Sequence, residues 1–376
     1  MSSRKKIGIL FLDEIHHVNH FITTAIELSK HCDVHILTYP DSHLYLYKSL
    51  KRLHGSNVII EQLTTAPFRA LTDKLKGRKA PRKGFWIKKN LPYMLKTFDA
   101  LIFTDFFHRY VLEGRGENPS PALIKTTHGV AGRGYTFKPQ QLDFDLQLLP
   151  GNFNRDALKK RNLLSENHAI VGNTKLDAVP DTATIKLFEP SKPIVLYNPH
   201  FSPPSSSWHT MGLQVLEYFY QQEEFNLIFA PHINLFQKVG GDDAKQIDPK
   251  YYDCKHIHID LGSPNSVDMI YTNKADVYLG DVSSQVYEFI IRPRPCIFMN
   301  TEKVAYKEEE TYRFWKCGDV IETVLELDNS LKNRVENFTK YKETQEQITA
   351  QNYYTEDGST ASERAANAII TFLDKT

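Results

Sequence analysis

Short apolar runs separated by polar, helix-forming stretches set the rhythm of this chain. Ile7–Leu12 is an unbroken apolar run, followed by a helical pattern at Asn19–Lys30. Val34–Thr38, a helix near Ser42–Leu53 and Val58–Gln62 continue the alternation, and Ala100–Thr104, Leu123–Thr127 and Leu146–Leu149 follow a basic stretch. Runs of this length without polar alternation fit strands buried on both faces, as in parallel sheets covered by crossover helices. A second series begins beyond the proline-bearing stretch Ala178–Pro193. Its strands are expected at Ile194–Asn198, Asn226–Phe229, His256–Ile259, Val277–Leu279 and Cys296–Met299, with helices at Met211–Gln222, Ser266–Thr272 and Gln285–Ile291. Thr360–Asp374 sets Ala366, Ile369, Ile370, Phe372 and Leu373 at helical spacing. The pattern predicts an α/β protein with two Rossmann-like domains facing a cleft. The first spans 1–180 with a basic insertion at 67–96, the second 190–350, and a terminal helix at 360–376 packs back on the first.

Composition narrows the class. At 376 residues the chain is long enough for two domains with separate cores. Apolar content of 41% and charged content of 24% are those of an ordinary globular protein. A net charge of +1 argues against a nucleic-acid footprint along the whole chain. Four cysteines, Cys32, Cys254, Cys296 and Cys317, are widely spaced with no zinc pattern, which fits a reducing compartment. The start, MSSRKKIGILFLDEI, is basic, but its apolar run is short and ends in acidic residues, so a buried strand is expected rather than a signal peptide. No stretch approaches the ~20 apolar residues of a membrane span. The expected location is the cytoplasm, with peripheral attachment to the inner face of the cell membrane as a further reading.

Chemistry concentrates in Ala275–Asn300. There a buried strand feeds a helix through Asp281, Ser283 and Ser284. Such a junction offers free N–H groups and the positive helix end to phosphates at the strand's carboxyl edge. The same residues also suit simple helix capping. Two histidines follow apolar runs in the same manner. His128 sits before Gly129, and His232 follows Pro231; both are positioned at strand ends where a general base belongs. Asn198 and His200 follow the first strand of the second domain, and Ser205–Ser207 reads as a flexible loop. His16 and His20 would share a helix face, but the glutamate of H-E-x-x-H is missing, so no metal site is expected.

Residues 67–96 carry nearly all their charge as Lys74, Lys76, Arg78, Lys79, Arg82, Lys83, Lys88 and Lys89 with neighbouring bases, interleaved with aromatics such as Trp86. Three readings fit: a patch docking on anionic lipid, with aromatics at the interface; a groove for a polyanionic acceptor; or a solvated excursion of the first domain. No nucleic-acid motif accompanies it.

Taken in order, Thr127-His128-Gly129, Pro231-His232 and Asp281-Val282-Ser283-Ser284 resemble the CDP-glycerol glycerophosphotransferase family, the teichoic-acid primases and polymerases of glycosyltransferase-B architecture. The resemblance implies His128 as catalytic base, His232 at the donor pyrophosphate, and Asp281, Ser283 and Ser284 at donor phosphate, with Glu288 as a further donor contact; by position alone, Gln285 at the helix start and Asn198 at the strand end are further donor candidates. It implies a CDP-alditol donor, a glycan or lipid-linked acceptor, release of CMP, and no cofactor. Glu288 stands where the family usually has aspartate, and Val130-Ala131 where Thr-Pro is frequent. Val171–Asp177 and Pro231–Asn234 also resemble the non-hydrolysing UDP-N-acetylglucosamine 2-epimerases. Against these, the Asp-Ser-Gly-Gly turn is absent, and Leu12-Asp13-Glu14-Ile15-His16 replaces their Gly-Thr-Arg-Pro-Glu segment. A nucleotide-sugar glycosyltransferase, a UDP-sugar epimerase and a non-enzymatic membrane-surface module are the competing expectations.

Overall fold

Seven parallel strands build the first sheet: β1 (Lys6–Phe11), β2 (Asp33–Thr38), β3 (Ile59–Gln62), β4 (Ala100–Phe103), β5 (Ala122–Lys125), β6 (Leu146–Leu149) and β7 (His168–Ile170), in the order β3-β2-β1-β4-β5-β6-β7. The structure is a computed structural model that describes residues 4–39, 43–76, 82–129, 137–189, 192–237, 241–354 and 357–375. These fall into two compact units: one holds the residues up to Ala178 and those from Gln351 onward, the other Val179–Ala350.

Side chains of β1 alternate between two cores. Ile7, Ile9 and Phe11 pack with Ile22, Ala25 and Leu28 of the helix Ile22–Ser29. Leu10 joins Leu101, Phe103 and the buried Trp86, Ile87 and Met94 of the helix Lys83–Thr97. The terminal helix Ala361–Leu373 belongs to this unit. Ala365, Ala366, Ile369 and Leu373 enter the first core, and Ser362 Oγ donates to Thr23 Oγ1 at 2.7 Å. A capping box between Thr360 and Glu363 starts that helix.

The second unit holds six parallel strands: β8 (Ile194–Asn198), β9 (Asn226–Phe229), β10 (Ile257–Ile259), β11 (Val277–Gly280), β12 (Cys296–Met299) and β13 (Asp319–Ile321), ordered β10-β9-β8-β11-β12-β13. In each sheet the order reverses beside the first strand, at β1/β4 and at β8/β11. Open parallel sheets bind ligands at the carboxyl ends of strands flanking such a reversal.

Several elements differ from the sequence expectation. β7 and β13 have only three residues each and lie at sheet edges, half-buried except for Ile321, so no apolar run announces them. The helix expected at Ser266–Thr272 is two pieces, Pro264–Val267 and Ile270–Lys274, separated at Met269, whose φ is +60°. The helix expected at Met211–Gln222 begins with a π turn at Trp208–Gly212. The basic stretch is no solvated excursion: it forms the helices Pro67–Leu75 and Lys83–Thr97, with Arg78 and Lys79 outside the described residues. No helix among the described residues is long and apolar enough to cross a membrane. All four cysteines are free thiols.

Candidate active site

At the first reversal point, β1 delivers Asp13 and Glu14, β4 delivers Thr104 and Asp105, and β5 delivers Lys125 and His128. The His128 Nδ1 lies 3.0 Å from the Thr104 carbonyl oxygen in a part-buried contact. A carbonyl only accepts, so Nδ1 carries the proton and Nε2 keeps its lone pair. Gly129 follows with φ +77°, a left-handed turn that favours glycine, and its N–H donates to His20 Nδ1 at 3.4 Å. Lys125 Nζ, buried, donates to the same Thr104 oxygen at 2.9 Å and to the Thr126 carbonyl. Burial pushes its pKa down to about 8.

Four imidazoles crowd this edge. The His17 ring centre is 4.2 Å from that of His128 and 4.5 Å from that of His16, and His20 lies 6.5 Å from His128. Desolvation by the surrounding protein, and then Lys125, holds His128 below the usual histidine range. Burial keeps His17 and His20 well below that range and brings His16 down to about 3. All four are therefore neutral near pH 7. Asp13 pairs with Lys83, although burial raises its carboxyl. Asp105, despite burial, is held low by the Phe106 N–H and by nearby His128, Lys83 and Lys125.

The segment Ile15–His20 is a 3-10 helix, so His16 and His20 do not share a face as an α-helix would make them; positions three apart, His17 and His20, align instead. Glu14, His16 and His17 bring ligand atoms within 4.8 Å of one another. Lys175 and Lys83 act on His16 with like charge, which opposes a cation there.

At the second reversal point, β8 leads into His200 and β9 into His232. Asn234 N–H donates to His232 Nδ1 at 3.2 Å, and Ser202 N–H donates to His200 Nδ1 at 3.1 Å. An Nδ1 that accepts assigns the proton of the neutral ring to Nε2. The two rings are 5.7 Å apart. His128 and His232 thus hold opposite tautomers, one with a basic Nε2 and one with a donating Nε2–H.

Three expectations need correction here. The Asp281 carboxylate is engaged inside the protein: it is buried and accepts from His200 N at 2.9 Å, from Ser207 N at 2.6 Å and from Ser207 Oγ at 2.9 Å. It ties the loops after β8 to β11. Asn198 is likewise internal, giving Nδ2 to the Ala230 carbonyl and accepting from Tyr278 Oη. Ser205–Ser207 is no flexible loop, because Ser206 and Ser207 are buried and Tyr197 Oη meets Ser207 Oγ at 2.9 Å. The helix after the turn, Gln285–Phe289, has five residues and so a smaller dipole than the expected one. Ser283 is buried, its Oγ accepting from Gln285 N at 3.3 Å, whereas Ser284 is exposed and its side chain caps nothing. Gln285 is half-buried and Glu288 buried in that helix. Arg294 is also buried, its guanidinium held by the carbonyls of Thr272, Ala275, Phe289 and Arg292.

In the basic stretch, Lys74, Lys76, Lys88 and Lys89 are exposed. Trp86 is buried against the sheet and Lys83 is drawn to Asp13, so neither belongs to an outward patch. Arg82 pairs with Asp73 at 2.6 Å. Thr104 and Lys125 were not anticipated; the signal available was a lysine ending the otherwise apolar strand β5.

Two doubly wound α/β units of this kind define the glycosyltransferase-B class of fold. Solved structures similar over nearly the whole chain share it. One is the wall teichoic acid polymerase TagF, 12% identical with a TM-score of 0.65, covering 99% of this chain and 89% of that one. Another is the UDP-GlcNAc 2-epimerase of Neisseria meningitidis bound to UDP-GlcNAc, 14% identical with a TM-score of 0.61, covering 99% and 100%. A third is the calicheamicin glycosyltransferase CalG4, 13% identical with a TM-score of 0.59, covering 100% of both chains. No curated protein matches the sequence significantly. The sequence profile of the CDP-Glycerol:Poly(glycerophosphate) glycerophosphotransferase family matches residues 172–371, more than half of the chain, and the protein belongs to that family. The matched stretch includes His232 and the Asp281–Ser284 turn; His128 precedes it.

Proposed function

We infer that the protein transfers an alditol phosphate, glycerol phosphate in the simplest case, from a CDP-activated donor to a hydroxyl of a cell-surface glycan or glycolipid. The acceptor oxygen attacks the phosphorus that bears the glycerol. Its proton passes to His128 Nε2, the bond from that phosphorus to the bridging oxygen breaks, and CMP leaves with the bridging oxygen. His232 and His200 donate Nε2–H to the pyrophosphate as negative charge gathers there, joined by the Ser284 hydroxyl and the backbone N–H groups of the turn. Asp281 acts through His200 and Ser207 as a positioning residue.

The opposite tautomers of His128 and His232 are the observation that supports this division most. A neutral base contributes ~10²–10⁴-fold, and one well-placed donor to developing charge about 3–4 kcal/mol. The nucleotide is tested by thermal shift with CDP-glycerol, CMP, UDP and UDP-N-acetylglucosamine. The cytidine ligands should raise the melting temperature in the native protein, and His232→Ala should weaken the response to CDP-glycerol. Stabilisation by uridine ligands alone would favour the epimerase or glycosyltransferase reading instead.

A further inference from the structure

Asp105 is a charged group at the first reversal point that no ion pair neutralises by contact among the described residues. It lies two residues beyond β4, and His128 three residues beyond β5. The two strands are paired neighbours with Phe103 opposite Lys125, so the segments leaving them start about 5 Å apart. Asp105 is half-buried. Its Oδ1 accepts from the Phe106 N–H at 2.8 Å, and among the described residues no donor reaches its other oxygen. The ammonium groups nearby are engaged elsewhere. Lys83 is drawn to Asp13, and Lys125 Nζ is given to the Thr104 and Thr126 carbonyls. Although burial opposes ionisation, the Phe106 N–H and the charges of Lys83 and Lys125 keep Asp105 a carboxylate. Acceptor capacity is therefore left over beside the candidate base.

A metal ion at this oxygen would meet the like charge of both ammonium groups, whereas a hydroxyl brings a donor without charge. His128 Nε2 and the Asp105 oxygen are both acceptors, so a molecule that satisfies the two must carry two donors close together. We propose that Asp105 is a specificity-determining contact for the acceptor, which presents a vicinal diol: one hydroxyl gives its proton to His128 as it attacks phosphorus, and its neighbour donates a hydrogen bond to Asp105. The proposal rests on the reaction assigned to His128 and adds no bond-making step to it, because Asp105 stays ionised throughout. An open-chain polyol end and adjacent hydroxyls of a sugar ring both offer this chemistry.

CMP release from CDP-glycerol by the full chain is measured with an acceptor ending in glycerol phosphate and with an alkyl hexopyranoside. Each is compared with its counterpart lacking one of the two neighbouring hydroxyls, 3-hydroxypropyl phosphate or the monodeoxy pyranoside. For the diol that is used, kcat/KM should exceed that of its counterpart at least about tenfold. Which diol that is separates an open-chain source from a ring source. In Asp105→Ala the ratio should fall to near one, while CDP-glycerol still raises the melting temperature of the folded variant. Asp105→Asn, which keeps an acceptor for the Phe106 N–H, should shrink the ratio in the same direction. A carboxylate that only tuned His128 would shift the pH profile and leave the ratio intact. That result, or a native protein indifferent to the missing hydroxyl, would overturn the proposal. Absence of CMP with every acceptor would instead overturn the reaction assigned to His128, and the proposal with it.

Discussion

Replacing Asp281 by asparagine keeps the shape of the side chain and deletes its titration. In the native protein the residue is 2% exposed, and its carboxylate accepts from the backbone N–H groups of His200, Ser207 and Val282 and from the Ser207 hydroxyl. Those donors favour ionisation, yet burial outweighs them and pushes the pKa up from 3.8 to about 6. A folded-state pKa above the unfolded one means that the native state binds the proton more tightly. The stabilisation from this group is therefore fully present below pH 3.8 and lost as pH rises through about 6. That interval corresponds to about 3 kcal/mol. Asparagine also turns an N–H toward groups that need an acceptor, which costs about 1–3 kcal/mol at every pH. Urea unfolding of both proteins across pH 4 to 7 separates the two effects. The variant should be less stable throughout, and the gap should narrow by about 3 kcal/mol with rising pH. A gap that stays constant, or widens, would refute the assignment of Asp281 as a buried tie between loops.

With its pKa lowered, His128 as the base should leave kcat/KM flat through the ordinary histidine range, with a fall only in more acid solution, where Nε2 is protonated. Lys125→Met removes a positive charge that holds His128 down, so the acid limb of that profile should move to higher pH. Arg294→Met strands the four carbonyls that its guanidinium satisfies. It should destabilise the protein by about 3 kcal/mol or more in urea unfolding.

Buried parallel strands are legible because each is a short, unbroken apolar run, as at Ile194–Asn198 and Cys296–Met299. β7 and β13 escape that reading because an edge strand of three residues, half-buried in β7 and half-buried but for Ile321 in β13, needs no such run. Charge hides the helices of 67–96, since Trp86, Ile87 and Met94 supply a buried face among lysines. The positions of His128 and His232 at strand ends follow from local sequence. Their tautomers do not: one depends on the carbonyl of Thr104, 24 residues away in the chain, the other on the backbone N–H of Asn234. Asp281 reads as a phosphate contact from its neighbours alone. Its true partners, His200 and Ser207, are 81 and 74 residues distant and reach it only through the sheet order.

Quantifying CMP release from CDP-glycerol, with an acceptor carrying a glycerol phosphate terminus, tests the central claim most directly. The native chain should form CMP in step with an acceptor extended by one glycerol phosphate. His128→Ala should still be stabilised by CDP-glycerol while its rate falls ~10²–10⁴-fold. CMP formation by that variant at the native rate, or no consumption of CDP-glycerol by the folded native protein, would contradict the role given to His128.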